Sequence, residues 1–168
     1  MSEVPPPPVE HLPRLKEWQE LNDQSFGLSD LLAMEGSLDI ITACAQLFWP
    51  KFIEIDGCVL REDVYSTENF QSWMASTNGN RISVESVMNH IHIYDLLPNP
   101  GGQEYRGPEY ALEVFEYIAE ILQRTWKAAL AEQFPSKTFI FKYVTEPDDY
   151  GPTIYFWQER PGEQGVTK

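Results

Sequence analysis

Lys51-Phe52-Ile53-Glu54-Ile55-Asp56-Gly57-Cys58-Val59-Leu60-Arg61-Glu62 is the stretch on which the fold turns. Two runs suited to strands flank Asp-Gly, the dipeptide best able to supply the two positive-φ positions of a type I′ turn. The spacing predicts a tight antiparallel hairpin. In the register of a two-residue turn, Ile53, Ile55, Cys58 and Leu60 share one face while Phe52, Glu54, Val59 and Arg61 share the other. Cys58 is then a core residue.

Upstream of this hairpin the chain reads as helical. After Gly36-Ser37 come Leu38, Ile40, Ile41, Ala43, Cys44, Leu47 and Phe48, and the run stops at Trp49-Pro50, where proline forbids more helix. Ser37 suits the N-cap. Only Asp39, Thr42 and Gln46 interrupt the apolar surface, so this helix is expected to be central, with the Cys44 thiol desolvated inside it. Residues 12–21 form an earlier amphipathic helix through Leu12, Leu15, Trp18 and Leu21, with Pro13 in its first turn; Gly27 and Ser29 then punctuate the chain. The four prolines at positions 5–8 fix φ and exclude helix, so residues 1–8 read as a disordered proline-rich leader.

Downstream, Ser66 or Thr67 caps a short helix holding Phe70, Trp73 and Met74, which Asn78-Gly79-Asn80 ends. Val84, Val87, Met88, Ile91 and Leu96 keep near-helical spacing from about Ser83. An irregular stretch over 98–107 leads to the longest helix, 108–133, with Leu112, Phe115, Ala119, Leu122, Trp126 and Leu130 on one stripe. Residues 138–144 and 153–157 make a second hairpin, with Phe139, Phe141, Tyr143, Tyr155 and Trp157 grouped on one face and Ile154 and Phe156 on the other. Residues 161–168 read as a disordered tail. The expected architecture is one α+β domain over 9–160: a small, mostly antiparallel sheet of two β-hairpins, four strands in all, packed by four to five helices.

A chain of 168 residues with a net charge of −14 repels phosphate backbones and anionic lipid surfaces, so neither nucleic acid nor membrane is an expected partner. The same field favours encounter with a basic protein. Two cysteines are too few for a disulfide framework, and no signal-peptide core or long apolar span is visible, which points to the cytoplasm.

Chemistry-bearing motifs are sparse. His90, His92 and Asp95 are the one metal-like cluster. On a strand, residues two apart share a face, whereas on a helix they diverge by about 200°. The spacing around them favours helix, so the two imidazoles are expected to point apart. Glu54, Glu62 and Asp63, or Asp148 and Asp149, are close carboxylates of the kind acid–base catalysis needs, but the chain has 26 acidic residues and such pairs arise by composition. No nucleophile elbow, phosphate loop or dinucleotide fingerprint occurs, and no cofactor is expected.

The functional expectation is a non-catalytic acidic binding or regulatory protein, comparable by class to immunity-type and inhibitor proteins that occupy a basic cleft. Its contact residues would be Asp95, Asn99, Glu104, Tyr105, Arg106, Asp148 and Asp149, in exposed loops. Two alternatives compete with it. One is a metal-dependent hydrolase using His90, His92 and Asp95, and the other is a scaffold that self-associates through the aromatic hairpin over 138–157.

Overall fold

The structure, a computed structural model, describes residues 3–96, 111–145 and 151–163. Its α-helices are α1 (Pro13–Leu21), α2 (Leu28–Glu35), α3 (Leu38–Phe48), α4 (Thr67–Ser76), α5 (Arg81–Met88) and α6 (Leu112–Gln133). The strands are β1 (Phe52–Ile55), β2 (Cys58–Arg61), β3 (Ile91–His92), β4 (Phe139–Val144) and β5 (Thr153–Gln158). The class is α+β, as the sequence implies. Both hairpins form, but in separate sheets: β1 pairs with β2 alone, while β3, β5 and β4 make a three-stranded antiparallel sheet with β5 in the middle.

The first hairpin follows its turn chemistry. Asp56 and Gly57 both adopt positive φ, 50° and 77°, and Ile55 pairs directly with Cys58. The two faces of the hairpin serve two cores. Phe52 and Val59 join Phe115, Leu122, Trp126, Ile154 and Phe156 in the larger one, built around α6. Cys58 and Leu60 pack with Phe70, Val84 and Met88 in the smaller one, under α4 and α5.

What separates the sheets is α5. Glu85 of α5 and Asn89, the residue that caps its end, are four residues apart, lie on one face and act as a substitute strand along the free edge of β2. Val59 N–H donates to Glu85 Oε1 (2.7 Å), Asn89 Nδ2 donates to Val59 O (2.8 Å), and Arg61 N–H donates to Asn89 Oδ1 (3.1 Å). The other oxygen of Glu85 accepts from the Gln158 N–H at the end of β5, at 2.8 Å. Arg160 closes the arrangement with Nη1 on Glu85 Oε2 (2.8 Å) and Nη2 on Oε1 (2.7 Å), and it also donates to Gly57 O. Glu85 is fully buried, and this bidentate partner neutralises it there.

Pairing with β5 explains why the helix over 81–88 stops early. Continuing it to Leu96 would keep Asn89 beside Glu85 but forfeit the pairing of Ile91 with Ile154 and of His92 with Thr153. Tertiary pairing overrides helical spacing here. In the second hairpin, directly opposed residues share a face, so Phe139, Phe141 and Tyr143 lie with Ile154 and Phe156 towards the core. Tyr155 and Trp157 stand on the opposite face, beside Lys142 and Ile140, and not with Phe139 as the sequence grouping had it.

Candidate protein interface

The arrangement that bears most on function begins with α3. Ser37 caps it as expected, its Oγ accepting from Ile40 N–H at 3.2 Å, and Trp49-Pro50 ends it. Its last turn is anchored: Leu47 and Phe48 pack against the large core, and Trp126 Nε1–H donates to Leu47 O at 2.8 Å. The first two turns run past that core. Every residue from 38 to 46 is exposed, with Leu38 at 82% and Ile40 at 62% accessibility. The expectation of a central helix is therefore corrected: α3 is hydrophobic on most of its circumference and, among the described residues, covered only at one end. Cys44, expected inside the core, is exposed, whereas Cys58 is buried as expected and the two thiols are free.

Neighbouring elements extend this surface. Leu28, Leu32 and Met34 of α2 are exposed, as is Trp49 just beyond α3. Helix α2 is a departure from the expectation that Gly27 and Ser29 only punctuate the chain. The signal was there: Asp30 reaches back to the Gly27 N–H at 2.8 Å, an N-terminal capping contact, and Gly36 closes the segment. Glu35, at the end of α2, accepts from Trp18 Nε1–H and Arg14 Nε–H of α1, both at 2.6 Å. The indole hydrogen bond, aided by Arg14, holds the Glu35 carboxyl below its usual range. Between residues 17 and 50 the chain carries Glu17, Glu20, Asp23, Asp30, Glu35 and Asp39 and no lysine or arginine; the next cation is Lys51. A cleft of about 580 Å³ opens beside the C-terminal half of α3, lined by Thr42, Ala45, Gln46 and Trp49 and by Glu62 and Asp63. Its carboxylates are already neutralised, Glu62 by Lys51 at 2.5 Å and Asp63 by Arg61, whose guanidinium lies over the Trp126 ring.

The histidines depart from expectation. His90 follows the end of α5 and His92 sits on β3, and their rings lie side by side, centroids 4.8 Å apart and nearly perpendicular. His90 also stacks on Tyr155. The Thr153 hydroxyl donates to Gly151 O (2.9 Å), so its oxygen accepts from His92 Nδ1–H (2.8 Å); His90 Nδ1 likewise faces an acceptor, Val87 O. In both rings Nδ1 thus faces an acceptor and donates to it. Asp95 lies exposed on the short 3₁₀ turn Ile93–Leu96. Among the described residues no group of three His, Cys, Asp or Glu side chains is arranged to hold a metal ion.

Of the other carboxylates, Glu54 pairs with Lys137 at 2.6 Å. Asn99, Glu104, Tyr105, Arg106, Asp148 and Asp149 lie outside the described residues. Among those described, no helix is long and apolar enough to cross a membrane. No known protein family, curated protein or solved structure matches the chain.

Proposed function

We propose that this chain is a non-catalytic protein-binding protein that works as part of an assembly, with α3 as its principal contact. The observation that carries the reading is the uncovered apolar surface of α3. A helix hydrophobic on nearly all sides is stable when something covers it, and a contiguous exposed apolar patch on a soluble chain is the usual mark of a protein contact. Two free thiols suit a reducing compartment, in keeping with a cytoplasmic protein. Away from α3 the net charge of −14 leaves an acidic exterior that favours a basic protein as a further partner.

The test is the native size of the tagged chain in extract of the cells that make it, compared with an Ile40→Asp/Ile41→Asp variant. The wild type is expected to run well above its 19.4 kDa and the variant to run at it. A wild-type chain that runs as a 19.4 kDa species in extract overturns the reading. Recovery of a basic partner should fall steeply between low and high salt.

The adjacency of His90 and His92 supports a second reading, a metal-dependent hydrolase, because imidazoles whose Nδ1 is engaged by an oxygen are oriented as metal ligands commonly are. Titration with zinc decides it. Stoichiometric binding lost in His90→Ala and His92→Ala supports this reading, and no heat of binding removes it.

A further inference from the structure

Resting on the reading of α3 as a contact surface, we propose that its cover is the α3 helix of a second copy of this chain, the two helices packing antiparallel about a dyad near Ala43 and Cys44. Charge decides between a second copy and a foreign basic chain. On α3 itself the only ionisable carboxylate is Asp39, in the first turn, and the first cation after Lys16 is Lys51, just past the last turn. A basic partner would find almost nothing to pair with on the apolar face. A second copy running antiparallel keeps the two Asp39 carboxylates at opposite ends and opposes the helix dipoles, whereas a parallel copy would stack Asp39 on Asp39.

Shape gives the same answer. Ala45 is small and lies on the face that Leu38, Ile41 and Trp49 share along a helix about 16 Å long, which lets a second helix approach closely there. The bulky residues lie towards the ends, Leu38 and Ile41 on one side of the middle and Trp49 on the other. Antiparallel packing carries Leu38 and Ile41 of one copy to the cleft beside Ala45 and Trp49 of its partner. The cleft is electrically neutral, because Glu62 and Asp63 are already paired, so it suits an aliphatic side chain better than a cation. An interface apolar at its centre and nearly free of charge is the composition of a lasting self-contact rather than of a transient one.

The purified full chain tests the proposal without any other component. Sedimentation at micromolar concentration is expected to give twice 19.4 kDa, with little change between low and high salt. Leu38→Glu and Ile41→Asp, both at exposed positions and so compatible with folding, should each weaken the dimer by about tenfold or more while leaving the thermal transition of the dissociated chain in place. A short bismaleimide should link wild-type chains through exposed Cys44, and Cys44→Ala should abolish the link, since Cys58 is buried.

A monomer at all concentrations overturns the second-copy proposal, and so does a dimer that both substitutions leave intact. If the pure chain is monomeric while the extract shows an α3-dependent complex, α3 remains a contact surface and its occupant is a different protein. If neither assembly exists, both readings fall.

Discussion

Glu85 joins parts of the chain that lie far apart in sequence. Fully buried, it accepts backbone N–H groups from β2 and β5 and both terminal nitrogens of Arg160, so one carboxylate serves two sheets and the segment after the second. Removing one member of such a pair leaves the other charged and dry. Glu85→Ala is therefore expected to cost about 3–5 kcal/mol in urea denaturation, against a clearly smaller loss for Glu85→Gln, which keeps an acceptor. Equal losses in the two variants would show that the charge is immaterial. Nothing local in the sequence singles out Glu85 among 26 acidic residues, because its role comes from what α5 is laid against.

At the scale of elements, α3 separates two things that patterning runs together. Its limits and its Ser37 cap were legible, because capping and proline act within the chain. Its burial was not, because an apolar pattern shows that a surface needs a cover without saying which molecule supplies it. The two hairpins were likewise readable from turn chemistry and strand composition. Their division between separate sheets depends on Glu85 and Asn89 standing in for a strand, and no periodicity encodes that. The histidines turned on one boundary: with the helix ending at Met88 in place of Leu96, rings expected to diverge came together. Since the first turns of α3 have little tertiary support within one copy, Ser37→Ala should act locally in the dissociated chain. The lost cap, worth about 1 kcal/mol, is expected to appear as faster amide exchange early in α3, at Ile40 and Ile41, with the global transition almost unmoved. A matching fall in global stability would mean that α3 is integral to the core.

For the molecule as a whole, two buried acids set an alkaline limit. Desolvation, reinforced by the charge of Glu85, pushes the Cys58 thiol up to about 11 from 9.0, and desolvation pushes the Tyr143 phenol up to about 12 from 10.0. The Tyr143 hydroxyl is buried with no hydrogen-bond partner among the described residues. In both cases the folded state keeps a proton that the unfolded chain has released, so stability falls as pH rises above the unfolded value, and it keeps falling until the folded group also ionises. Cys58 alone should remove roughly 2 kcal/mol between about pH 9 and about pH 11. Urea midpoints at about pH 8 and about pH 11 should diverge more for the wild type than for Cys58→Ala. Parallel slopes would mean that the thiol is not what titrates.

The bridge from Glu85 to Arg160 also sets a timetable. A ribosome adding about 5–20 residues per second reaches position 160 several seconds after position 85. Until then the carboxylate has no guanidinium to meet, and shutting it away from water is unfavourable. The first hairpin and α5 can approach one another in that interval, but sealing them is expected to be disfavoured. The nascent chain is thus expected to close around Glu85 only once this late arginine has emerged, and until then α3 stands open to a chaperone or to a sister chain emerging nearby.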